Sequence, residues 1–127
     1  MAYDLENRTF VFARDVRQFV KKVKLTVVNL DDIKQLLRSS GSVGANYIEA
    51  NEATSQKDFY YRIKIARKEA KESTYWLRLL EGNIAPEYSG DIELFKKEGM
   101  ELVKIFSSIL KSSKEPSLFT FLNRVCF

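Results

Sequence analysis

Residues 38–53 read RSSGSVGANYIEANEA. The stretch lies inside a run with helical periodicity, yet it is crowded with Ser, Gly and Asn, which are poor helix formers. A helix tolerates that local cost only where tertiary packing needs two backbones to come close. The segment therefore predicts a packing seam, between helices or between subunits. It restricts the chain to architectures in which long helices lie side by side.

The rest of the chain supplies the helices. Four amphipathic segments have helical rather than alternating periodicity. The first spans about Asp4 to Lys24, with Phe12, Ala13, Val16, Phe19, Val20 and Val23 on one stripe and Asp4 or Asn7 as its cap. A turn through Asn29, Asp31 and Asp32 leads to the second, which ends near Ala53 and carries Ile33, Leu36, Leu37, Ser40, Val43, Gly44, Tyr47 and Ile48. Ser55, with Asp58 three residues on, starts the third. Its face is Phe59, Ile63, Ala66, Ala70, Ser73, Leu77 and Leu80, and Gly82, Asn83 and Pro86 end it. The fourth, from Ser89 or Asp91 to Lys111, aligns Ile92, Phe95, Gly99, Leu102, Val103, Phe106, Ile109 and Leu110. Connections of a few residues favour antiparallel neighbours. The expectation is an all-α, up-down-up-down four-helix bundle forming a single domain over residues 1–127. Beyond Pro116 an apolar extension (Leu118, Phe119, Phe121, Leu122, Val125, Phe127) reads as a short fifth helix docked on the bundle or on a neighbouring subunit.

Composition narrows the setting. With 45% apolar and 30% charged residues the chain is ordinary for a folded soluble protein. Its one cysteine, Cys126, cannot form an intrachain disulfide, which fits a reducing compartment. The opening MAYDLENRTF has no basic head followed by an apolar run, and no stretch approaches the roughly 18–20 apolar residues that span a bilayer. A cytoplasmic protein with no membrane partner is expected.

The third segment has a second apolar group away from its core stripe: Tyr61, Ile65, Trp76 and Leu79. The back of the second carries Ser42, Ala45, Asn46, Glu49 and Ala53. A helix apolar on two sides is buried on two sides, so a homo-oligomer is expected, with Ser42, Ala45, Asn46, Tyr61, Ile65, Trp76 and Leu79 at its contact.

Much chemistry is excluded outright. Without a single histidine there is no imidazole acid–base pair, no Ser-His-Asp or Cys-His triad and no Glu-x-x-His metal motif. No phosphate-binding glycine loop follows a strand. What survives is carboxylate chemistry: Glu49/Glu52 and Glu69/Glu72 stand three apart on neighbouring helices, the pattern of Mg²⁺-dependent nucleotide pyrophosphohydrolases. On the wheel Glu49 and Glu52 point away from the third segment, so surface ion pairs with Arg38, Arg62 or Lys68 are the competing reading, and Glu69 reads as a partly buried structural carboxylate. The expectation is a protein that is not an enzyme and has no cofactor and no metal site.

Two basic rows remain. Arg14, Arg17, Lys21 and Lys24 follow Phe10 on the first segment, and Lys64, Arg67, Lys71 and Arg78 follow Tyr60 on the third. Rows of Lys and Arg beside an aromatic make a track for phosphates. With a net charge of +4, RNA or DNA is the expected partner, and a protein-interaction scaffold whose charges serve solubility is the alternative.

Residues 35–50, QLLRSSGSVGANYIEA, resemble the signature of the four-helix-bundle proteins encoded in 23S ribosomal RNA intervening sequences. Lys57-Asp58-Phe59, the run IARKEAKE at 65–72 and Tyr75-Trp76-Leu77 resemble its next block, and Phe12-Ala13 and IFSSIL at 105–110 resemble its ends. The likeness covers roughly residues 4–112, and the tail after Pro116 departs from it. It implies a four-helix bundle assembled as a ring, typically a homopentamer. The family is also similar to the accessory proteins of diversity-generating retroelements, basic barrels that bind nucleic acid and a reverse transcriptase. No catalytic residue is implied.

Overall fold

The computed structural model describes residues 4–112. The expected fifth helix, and Cys126 with it, lie outside the described residues. Four helices make up the described residues: α1 (Leu5–Val20), α2 (Leu30–Asn51), α3 (Gln56–Leu80) and α4 (Ser89–Lys111), with a 3₁₀ turn at Pro86–Tyr88 before the last. Among the described residues there is no strand, and no helix is long and apolar enough to cross a membrane. The fold is the expected all-α four-helix bundle.

Local chemistry sets the helix starts. The Asp4 carboxylate accepts from the Asn7 amide at 3.3 Å, and the Ser55 hydroxyl accepts from the Asp58 amide at 3.1 Å. Each satisfies one of the amides that a helix start leaves unpaired. Asp31 and Asp32 occupy the first turn of α2, where the helix dipole favours negative charge.

Contacts between helices fix an antiparallel square. Arg17 of α1 reaches Ser40 of α2, Ser39 of α2 meets Ser73 of α3, and Arg67 of α3 meets Ser107 of α4. Arg8 and Lys22, at opposite ends of α1, pair with Glu98 and Asp91 of α4, in reversed order along that helix. The neighbouring pairs are α1–α2, α2–α3, α3–α4 and α1–α4, so α1 and α3 occupy opposite corners, as do α2 and α4.

All seven residues expected on the α3 face are buried, and so are Phe12, Val16, Phe19 and Val23 of the first stripe. Ile48 differs: it stays 44% exposed, because it lies on the outer lip of the α1–α2 groove rather than over the core. The first helix also stops four residues early. Its last amides turn to carbonyls three residues back, Lys22 to Phe19 and Val23 to Val20. The chain then folds round buried Asn29, whose Oδ1 accepts from the Thr26 amide and whose Nδ2 donates to the carbonyls of Lys24 and Asn83. One asparagine thus ties the α1–α2 loop to the α3–α4 loop. A buried amide with every bond made stabilises, whereas one left unpaired costs about 1–3 kcal/mol.

The small residues of α2 do what their size permits. A Cβ on Gly44 would lie 2.9 Å from Thr9 Oγ and 3.2 Å from Thr9 Cβ, so α1 approaches α2 across the absent side chain. On the adjoining flank the Ser39 and Ser73 hydroxyls are 2.9 Å apart, and Ser73 in turn donates to the Glu69 carbonyl. The seam is therefore at least partly internal to the chain. α4 uses the same device against α3: a Cβ on Gly99 would lie 2.7 Å from Thr74 Cγ2.

Candidate nucleic-acid interface

The two basic rows stand on α1 and α3, at opposite corners of the bundle, so a single subunit does not bring them together. Their surroundings also differ. On α1 the Arg14 Nε is 3.1 Å from Asp15 Oδ1. Arg17 arches over Gly41 and donates from Nη1 to the Ala13 carbonyl at 3.0 Å and from Nη2 to the Leu37 carbonyl at 3.1 Å. Its guanidinium ties α1 to α2. Lys21 is exposed at the helix end.

On α3, Lys64, Lys71 and Arg78 point to solvent, and half-buried Arg67 donates to Ser107 Oγ at 3.4 Å. Among the described residues none of these four cations has an ion pair. The Arg67–Ser107 contact also sets the register of α4. At 100° per residue, Lys104 and Lys111 share the flank of α4 that carries Ser107, which places them beside Lys71 and Lys64. The sequence singles out one row on α1 and one on α3, without saying what lies beside either. The structure matches the α3 row with α4, whose lysines had been counted only as part of the net charge. The heptad spacing of Lys104 and Lys111 was the available signal, but which helix lies beside which is not a local property.

The carboxylates of this side are paired with lysines of α4, one of them Lys104 of the face itself. Lys96 bonds to Glu81 and Glu93, and those hydrogen bonds raise its pKa above the ordinary lysine value. Lys104 lies 3.1 Å from Glu101. The α3 row runs about 21 Å from Lys64 to Arg78 at the helical rise.

The four glutamates of the magnesium hypothesis do not converge. Glu69, 7% exposed, lies 3.0 Å from Arg38 Nη1, and Glu72 lies 2.7 Å from Arg38 Nη2. Desolvation opposes the charge of Arg38, but the two carboxylates outweigh it and hold its pKa above the ordinary value. Glu49 and Glu52 begin eleven residues further along α2, about 16 Å away. Among the described residues no three metal-ligating side chains are grouped. Glu69 is thus the structural carboxylate expected of it.

The residues assigned to an oligomer contact divide into two sets. Ala45, Tyr61 and Leu79 are exposed, whereas Ile65 and Trp76 are half-buried against the bundle. Asn46 is engaged within the chain: its Nδ2 donates to the carbonyl and the hydroxyl of Ser42, both at 2.9 Å, and its Oδ1 accepts from Arg62 at 3.2 Å.

Comparison with known proteins agrees with this architecture. A crystal structure of a protein of unknown function from the S23 ribosomal protein family of Bacteroides thetaiotaomicron superposes with a TM-score of 0.70 at 35% identity, over 84% of this chain and 97% of that one. No functionally curated protein matches the chain. The family model for the 23S rRNA-intervening sequence protein matches residues 3–108. Nearly the whole bundle falls within that match, and the chain belongs to the 23S rRNA-intervening sequence protein family.

Proposed function

We propose that this chain is a non-catalytic nucleic-acid-binding protein whose main contact is the α3–α4 face. The observation that carries the reading is the row Lys64, Arg67, Lys71 and Arg78, free of ion pairs among the described residues, with exposed Lys111 and the Glu101-paired Lys104 on the adjoining helix. Cations one or two turns apart follow a phosphate backbone without reading bases. Arg14 and Lys21, on the opposite corner, add general attraction, and Arg17 is held by α2. Four phosphate contacts give a salt dependence with a log–log slope of about −3 on single strands. A fluorescence-anisotropy titration with RNA and DNA, at low and physiological salt, tests it. Arg67→Glu with Lys71→Glu lowers affinity at least about tenfold, and Arg14→Glu with Lys21→Glu less than about threefold. Absence of binding at low salt, or indifference to the first pair, overturns the reading.

The second element of the proposal is a cyclic homo-oligomer, with five subunits as the family resemblance implies, acting in the cytoplasm. Ala45 and Ile48 beside the α1–α2 groove, and Tyr61 and Leu79 on α3, leave apolar surface open, and a closed ring repeats the basic face on every subunit. Light scattering should give a multiple of the chain mass that Ala45→Trp reduces. A strict monomer at micromolar concentration removes the ring and leaves the single-subunit contact to stand alone. Should nucleic-acid binding fail and the ring hold, the protein is an interaction scaffold.

A further inference from the structure

The α3 row is interrupted by one aromatic side chain that the phosphate reading does not use. Tyr75 is 50% exposed, with Lys71 one turn before it and Arg78 one turn after. Its neighbour Trp76 packs against the core, and the two rings meet edge to face at 5.1 Å and 72°. The phenol is therefore braced from below by a ring that is itself fixed, while half of its surface faces water between two unpaired cations.

Resting on the nucleic-acid reading above, we propose that Tyr75 is a stacking platform for an unpaired base, so that the preferred ligand of the α3–α4 face is single-stranded nucleic acid. The argument is one of fit. A base inside a duplex has both faces covered by its neighbours, and a duplex offers this helix only its phosphates. An unpaired base offers a free π-face, and the phosphates on either side of it then fall to Lys71 and Arg78. Stacking of this kind is sequence-tolerant. The brace from Trp76 reduces the conformational entropy that ordering a free tyrosine would cost. The exposed cations within two turns of Tyr75 on α3, Lys68, Lys71 and Arg78, are complementary to such a ligand. Nearby Glu72 is tied back to Arg38.

Trp76 is the only tryptophan of the chain, so it reports on the ring beside it. The experiment titrates the full chain with a twelve-nucleotide single strand and with the same sequence as a duplex, at one low salt concentration. It follows both anisotropy of a labelled strand and Trp76 emission. The single strand should bind more tightly and change Trp76 emission, which the duplex should leave nearly unaltered. Tyr75→Ala should weaken single-strand binding about tenfold and duplex binding less than about twofold, while Tyr75→Phe retains both. Thermal melting of each variant identifies any loss that comes from unfolding. If the arginine and lysine reversals abolish binding but Tyr75→Ala leaves single-strand affinity unchanged, the stacking platform is wrong and the phosphate face stands. If neither strand binds, the face itself is wrong.

Discussion

The α1–α2 and α3–α4 pairs are built with the same device and put their charges to different uses. In each, a glycine lets a threonine of the partner helix come closer than a Cβ would allow: Thr9 to 2.9 Å from where the Gly44 Cβ would be, and Thr74 to 2.7 Å from that of Gly99. Each pair also carries a basic row at helical spacing. Over the α1–α2 seam the row folds back, Arg17 onto the Leu37 carbonyl and Arg14 onto Asp15. Beside the α3–α4 seam Lys64, Lys71 and Arg78 stay in solvent and only Arg67 touches the partner helix. Similar rows of charge thus become a structural strut in one pair and an open surface in the other. What separates them is the acceptor set opposite. A carbonyl or hydroxyl oxygen of the neighbouring helix within reach captures a guanidinium through its remaining lone pair, while an ammonium with none remains hydrated.

The sharpest way to break the shared device is to fill it. Gly44→Leu and Gly99→Leu should each destabilise the chain by about 1–3 kcal/mol, because the obstacle is a β-branched side chain near the backbone with little room to move. Gly41→Ala is the control. There the obstacle is the tip of Arg17, 2.9 Å from the added carbon, which can swing aside. Removing a helix-interior glycine then gains up to about 1 kcal/mol. Thermal denaturation separates the three, and equal melting temperatures for Gly99→Leu and the parent chain would refute the close-approach argument. A smaller effect distinguishes the charges. Arg17→Ala should cost about 1 kcal/mol, the net worth of bonds made at an exposed site, whereas Lys71→Ala stays within about 0.5 kcal/mol. Arg17→Lys should not restore stability, since one ammonium cannot span the Ala13 and Leu37 carbonyls in the geometry of the planar guanidinium. Full rescue by lysine in denaturant unfolding would mean that charge alone, not the fork, matters there.

Several features were readable in order along the chain because each depends on neighbours in sequence. Ser55 as a cap, the buried stripe from Phe59 to Leu80 and the close-packing role of Gly44 follow from capping chemistry, a period of 3.6 and side-chain size. Glu69 as a partly buried carboxylate was legible for the same reason, lying between a core stripe and a polar flank. Asn29 was read as a turn residue, and nothing local shows that its amide would reach the carbonyl of Asn83, fifty-four positions away. Ile48 fits the core period of α2 but falls at its edge, on the lip of the groove toward α1 rather than over the core.

The sequence by itself determined the helices, their amphipathic faces, the family and the absence of histidine chemistry, since periodicity, capping and residue type are properties of short stretches. Only the tertiary structure decided which basic residues form a surface. The square packing puts α4 rather than α1 beside α3, turns Arg17 onto a backbone carbonyl and draws Glu69 and Glu72 to Arg38. Availability of a charge depends on what lies across the helix interface, at separations of twenty to forty residues, and no local pattern encodes that distance.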